Sequence, residues 1–295
     1  MFRALTVLLL LLAAISAICG AQTTPRAVDT SNEVNNQPAN PHSNSAAGSS
    51  SAEDSAAENE LLESANKRRE LAGVPPLHME ESLREAARAH AQRMVASGSL
   101  KHQLSGEPSL MQRIAQVSPL TMDRAGENVA YAHSVSDVNQ ALMSSPPHRE
   151  NLLDRRFNVA GIAAIWSKGK LYVVQDFAHE VSSYTAQQSG KLIGGAIGEM
   201  RKQAGLPELV QLTPANLDEV TCMLARENPP NAHLLATAYD DRKIVTYTQS
   251  RPEILPQAAV QLLRDPGIRQ FAVGACYARN AAYPTGTYWV AILLY

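Results

Sequence analysis

Arg69-Glu-Leu-Ala-Gly73-Val-Pro75-Pro-Leu77 returns 132 residues further on as Arg201-Lys-Gln-Ala-Gly205-Leu-Pro207-Glu-Leu209. Leu217, Val220, Thr221 and Leu224 echo Leu83, Ala86, Ala87 and His90. Near the end, Ile268-Arg-Gln-Phe-Ala-Val-Gly274-Ala resembles Arg155-Arg-Phe-Asn-Val-Ala-Gly161-Ile. A repeat on this scale means one architecture built twice, so the 295 residues divide into two domains. The boundaries expected are 58–180 for the first and 190–295 for the second.

Within the first, Leu61, Leu62, Ala65 and Leu71 define one helical face, stopped by Gly73 with Pro75-Pro76 beyond. A second helix runs from about Met79 to Ser97, with Leu83, Ala86, Ala87, His90, Ala91 and Met94 as its stripe. His90 inside that stripe reads as a core histidine bonded to a neighbour. Ser136 to Met143 forms a short amphipathic helix that stops before Pro146-Pro147. Phe157–Ile165 and Leu171–Phe177 are apolar β runs, joined through Lys168-Gly169 as a hairpin. Helices first and an antiparallel hairpin last make an α+β layered domain.

Residues 1–21 read as a secretory signal: Arg3 precedes an apolar run from Ala4 to about Ile18, followed by small residues. The run is short for a membrane span. Ile18 before Cys19 disfavours lipidation, which takes a small residue there. The expected location is therefore secreted or periplasmic. Residues 22–57, built of Ser, Asn, Ala, Thr and Pro, form a disordered linker in which His42 is solvated. Signal removal leaves Cys222 and Cys276, either bridged or two buried thiols. A net charge of −2 gives no reason to expect nucleic acid as a partner.

The residues left over carry chemistry. His102 follows the second helix, Gly126-Glu127-Asn128 follows a Gly/Pro/Ser-containing loop, and Pro147-His148-Arg149-Glu150-Asn151 lies just past the Pro-Pro break. Glu127 and His148 sit at opposite ends of the intervening helix, in segments read as turns and caps. Arg149 is a candidate partner for Glu127 or Glu150, and Asn151 a cap or turn former.

Taken in order, Asn66-x-x-Arg69…Gly73, His90-Ala91, His102, Gly126-Glu127-Asn128, Ser145-Pro-Pro-His148-Arg149-x-Asn151 and Gln175-x-Phe177 resemble the CAP superfamily in its bacterial form. That superfamily comprises the cysteine-rich secretory, antigen 5 and pathogenesis-related-1 proteins. The resemblance implies a three-layer α-β-α sandwich with a central antiparallel sheet. It also implies a cleft in which His102, Glu127 and His148 hold three of the family's His and acidic positions; Ser144, Ser145 and Pro146 leave the second acidic position empty.

Two neutral imidazoles and a carboxylate suit Zn or another divalent metal, with an open position for water. They equally suit a structural knot. The reading of function is an exported, non-enzymatic binding or interaction module for a peptide, lipid or cell-envelope ligand. The alternatives are a metal-dependent, peptidase-like hydrolase using His102, Glu127 and His148, or a plain scaffold. The second copy is degenerate: no room is expected for a Gly-Glu-Asn segment between Asn231 and Tyr247, and Gln261 and its neighbours fill the His148-Arg149 region. Its expected role is to pack on an apolar face of the first domain.

Overall fold

In the first unit, alternate residues of one strand face two different helical layers. The computed structural model describes residues 52–227, 233–239 and 243–295. The signal segment, most of the linker and His42 lie outside them. The first unit comprises β1 (Ala52–Glu53), α1 (Ser55–Leu71), β2 (His78–Met79), α2 (Glu81–Ser97), α3 (Leu110–Val117) and β3 (Met122–Ala132). It continues through α4 (Val135–Ser144), α5 (Pro146–Leu153), β4 (Val159–Ser167) and β5 (Lys170–Glu180). Along β4, Ala160, Ile162 and Ala164 join Leu61 of α1 and Val138 and Leu142 of α4 in one core. Val159 packs with Leu83 and Ile114, and Ala163 and Ile165 with Ala87 and Met94, on the other side. That alternation, set by the two-residue pleat, gives the α-β-α sandwich.

The sheet runs β1-β4-β5-β3, antiparallel throughout, with β2 added parallel to β4. Three expectations change here. The domain starts before residue 58: β1 pairs with β4, and Asp54 caps α1 and accepts from Trp166 Nε1, so the linker ends ahead of Ala52. Gly126-Glu127-Asn128 is mid-strand in β3, not a turn. Pro146-Pro147 ends nothing beyond α4; Pro at the first turn starts α5, where its missing N–H costs no helical bond.

The face of α1 is also redrawn. Leu71 is 75% exposed, while Arg69 is fully buried beside Leu61 and Ala65. Its guanidinium donates to the carbonyls of Pro75, Leu152, Asp154 and Phe157 at 2.7–3.0 Å. Arg69 thus satisfies carbonyls left orphaned at the end of α5 and ties three segments together.

The second unit holds α6 (Ala186–Gln203), β6 (Val210–Leu212), α7 (Leu217–Arg226), α8 (His233–Ala238), β7 (Lys243–Gln249), α9 (Gln257–Leu263), β8 (Gln270–Ala278) and β9 (Thr287–Leu294). Its sheet order is β6-β8-β9-β7, with β6 parallel to β8 and the rest antiparallel. This is the β2-β4-β5-β3 order of the first unit again. Buried Arg201 repeats Arg69, donating to the carbonyls of Pro207, Leu263 and Asp265. α9 therefore answers to α5.

Cys222 of α7 and Cys276 of β8 are joined by a disulfide, with Cα atoms 5.1 Å apart. Among the described residues, each buried apolar cluster stays within one unit, so the second unit does not cover an apolar face of the first. No helix among them is long and apolar enough to cross a membrane.

Candidate functional site

Glu127 shares the odd-numbered face of β3 with Ala125 and Val129, which pack against the α2/α3 layer. Asn128 shares the opposite face with Ala130, toward α4 and α5. On that side Asn128 Nδ2 donates to the His148 carbonyl at 3.0 Å and to Gln175 Oε1 at 3.2 Å. Asn151 Nδ2 donates to the Glu127 carbonyl and to Asn128 Oδ1, both at 3.1 Å. The two asparagines bind α5, and His148 with it, to β3. Gly126 leaves the space they need: a Cβ there would lie 2.9 Å from the Phe157 ring and 3.4 Å from Asn151 Oδ1. Asn151 is thus a cross-link rather than a cap, and Arg149 donates to the Met143 carbonyl instead of an acid.

On its own side Glu127 is 3% exposed. His102 Nδ1 lies 2.9 Å from Oε1, and Arg113 of α3 donates to Oε2. A second Arg113 nitrogen donates to the His102 carbonyl at 2.9 Å. Glu107 lies 3.8 Å from the same guanidinium and 2.8 Å from His90 Nδ1, whose Nε2 meets the Lys101 carbonyl. His90 is thus a bonded core histidine. Directly across the strand pair from Glu127 is Asp176, fully buried, with no N–H donor to either carboxyl oxygen.

His102 joins the remaining piece: its ring centroid is 6.4 Å from that of His148, the planes tilted by 49°. The His102 side chain is 32% exposed and His148 is half-buried. Burial first, then the neighbouring His102, hold the His148 imidazole below its ordinary value, so it is neutral at neutral pH.

The sequence pattern located His102, Glu127 and His148 but not Arg113, Glu107 or Asp176. The signal that could have found Asp176 is an acid inside the apolar run Leu171–Phe177. Arg113 and Glu107 gave no local sign, because their partners come from other elements.

Two carboxyls, Glu127 and Glu107, share one guanidinium, and Asp176 feels its charge without touching it. Burial pushes Glu127 up to about 8, against the pull of Arg113. Burial and the Glu127 charge push Asp176 well above the carboxylate range. The proton that the pair keeps belongs on Asp176, which has no N–H donor, rather than on Glu127, which has Arg113 and His102. The two carboxyls ionise near 3.8 and 4.5 when unfolded, so from there up to about 8 the folded pair binds more protons. Stability should therefore be highest at the acid end of this window and fall as pH rises. Asp176→Asn, a neutral isostere, should flatten the fall by about one proton, or about 1.4 kcal/mol per pH unit. Urea melts from pH 5 to 8 measure it; equal slopes in both proteins would refute the shared proton.

A divalent metal does not suit the cluster as arranged. Both Glu127 oxygens are engaged, one by a permanent cation, and a metal would have to displace Arg113. Among the described residues no group of three His, Cys, Asp or Glu is placed to hold a metal ion.

Among its described residues the second unit lacks this chemistry. Gly161, packed against Leu83, pairs with Asp176; Gly274, packed against Leu217, pairs with Ala291. Ala291 in turn pairs with Thr246. Thr246 and Ala291 thus stand where Glu127 and Asp176 do, and Leu224 where His90 does. Strand β7 does occupy the place of β3, so space for that strand was not what was lost; Glu127 and Asn128 were, with Thr246 and Tyr247 in their places. His233 opens α8, and its side chain lies outside the described structure.

The profile described as the cysteine-rich secretory protein family, CAP, matches residues 62–177. The uncharacterized protein YkwD of Bacillus subtilis is 31% identical over 157 residues, covering 52% of this chain and 60% of that protein. The chain thus spans about three-fifths of that relative's length. Among solved structures, an outer surface protein from Borrelia burgdorferi is 18% identical with a TM-score of 0.43, covering 45% of this chain and 100% of its own. An extracellular SCP-domain protein from Bacillus anthracis is 24% identical with a TM-score of 0.38, covering 42% of this chain and 41% of its own. The profile match falls on the residues that carry the ordered motifs and build the sandwich, so the first unit of this chain is a bacterial-type CAP domain, a member of the cysteine-rich secretory protein family.

Proposed function

We propose that the chain is an exported, non-enzymatic binding module. Its CAP domain offers a peptide, lipid or cell-envelope ligand the surface at His102 and His148, whose ring centroids are 6.4 Å apart. The observation that carries this is the burial of Glu127: a carboxylate 3% exposed and held between Arg113 and His102 is not placed to activate water on a substrate. The two imidazoles, by contrast, reach solvent and can donate or accept hydrogen bonds. Export is supported by the Cys222–Cys276 bridge, which persists in oxidising compartments. Residues 190–295 are read as a degenerate CAP copy, on the strength of the shared strand order and the Arg69/Arg201 pair.

The test has two arms. Labelled casein, with or without added Zn²⁺, should be cleaved no faster by the protein than by buffer. Isolated cell envelopes should retain the wild type, and His102→Ala/His148→Ala should lose that retention at least about tenfold, the scale of one or two lost hydrogen bonds. Casein cleavage that the double variant abolishes at unchanged Tm would establish the hydrolase instead.

A further inference from the structure

One side chain of the second unit reaches into the first. Arg279, just past β8, donates from its guanidinium to the carbonyls of Ser118 at 2.8 Å, Ala115 at 3.2 Å and Leu120 at 3.5 Å. These carbonyls cluster at the C-terminal end of α3, where a helix presents unsatisfied acceptors and partial negative charge. The fork of an arginine fits such a cluster better than a point charge does.

Arg279 is itself held from behind. Asn280 Nδ2 donates to the carbonyl of Ala225 in α7, and its Oδ1 accepts from the backbone N–H groups of Ala282 and Tyr283. The Cys222–Cys276 bridge fastens α7 to the strand that ends beside Arg279. At the far end, α3 carries Arg113, which holds both the Glu127 carboxylate and the His102 carbonyl. The contacts form a continuous strut: disulfide, Arg279, α3, Arg113, cleft.

We propose that Arg279 is a positioning residue. Through it the second unit, whose described residues lack the first unit's buried charged cluster, braces α3 and so fixes His102 and Glu127. This rests on the reading of those residues as part of the cleft, but it does not depend on what the cleft binds. It also assigns the degenerate copy a role, that of an intramolecular partner.

The experiment compares the full chain with Arg279→Ala and Arg279→Lys by amide hydrogen exchange and by the His102 and His148 ring resonances at one fixed pH. Arg279→Ala should speed exchange across Leu110–Val117 about tenfold, the worth of a charge-assisted hydrogen bond, and should shift the His102 ring signals. Lysine, keeping the charge without the fork, should recover part of both effects. Unchanged exchange in β8 and β9 certifies that the second unit remains folded. Ring signals that stay at their wild-type positions, whether or not α3 loosens, would overturn the positioning role. Because these signals are read without ligand, a failed envelope-retention assay would leave the result intact.

Discussion

Arg69→Ala should destabilise the first unit by about 3–5 kcal/mol, the usual cost of removing one side of a buried charged network. Four carbonyls lose their donor at once, and those of Leu152 and Phe157 are too deeply buried for water to take over. Arg201→Ala should cost the second unit less, about 1–3 kcal/mol, since one of its terminal nitrogens already lacks a partner and one of its contacts is 3.4 Å long. The two units have separate cores, so a single melt would mislead. The chain has two tryptophans, Trp166 in β4 and Trp289 in β9, so single-tryptophan versions report on each unit alone. Urea melts followed through Trp166 and Trp289 should move for Arg69→Ala and Arg201→Ala respectively. A loss under about 1 kcal/mol at Arg69, or a larger loss at Arg201, would mean that the carbonyls find other donors.

The same arginine shows what could be read from the sequence and what could not. Period-3.6 patterns located α1 and α2, and an apolar pair around Lys168-Gly169 located the β4–β5 hairpin, because those signals are local. The repeat of Arg69 and Arg201 was in plain view as well. That these arginines face inward, and that Leu71 faces water, was not: the more distant acceptors of Arg69 lie 83 to 88 residues away. Hydrophobicity would place leucine inside, but an arginine whose donors are used at buried helix-end carbonyls has the stronger claim to the interior.

The cleft divides the same way. His102, Glu127 and His148 were identifiable by motif and order, whereas the face on which each lies depends on the pleat of β3, which puts Glu127 and Asn128 on opposite sides. A segment read as a turn because it contains Gly and Asn is a strand, since Gly126 makes room for Phe157 and Asn128 satisfies the His148 carbonyl. Metal chemistry followed from listing residue types. Arg113, arriving from α3, changes what the carboxylate can do.

Arg113→Met should therefore have an effect as large as that at Arg69, but one that depends on pH. The methionine fills similar space and removes the guanidinium that Glu127 and Asp176 depend on. Glu107 keeps its contacts to His90 and the Leu104 N–H, but its nearest guanidinium is then the largely exposed Arg93, 3.8 Å away. At pH 8, where the unfolded chain holds these carboxyls ionised, the folded variant must either bury unpaired charge or take up protons, and the expected loss is about 3–5 kcal/mol. At pH 5 the folded Glu127–Asp176 pair still holds protons, and that pH lies close to the 4.5 at which an unfolded glutamate ionises, so the linkage term shrinks and the loss should fall by about half. Lost donation to the His102 carbonyl remains at both pH values and sets the floor. Urea melts through Trp166 at pH 5 and pH 8 give the comparison. Equal losses at the two values would show that Arg113 acts by packing and hydrogen bonding alone. A loss that grows with pH ties the stability of the domain to the charge beneath its cleft, and predicts that a ligand drawing Arg113 away from Glu127 binds at that cost.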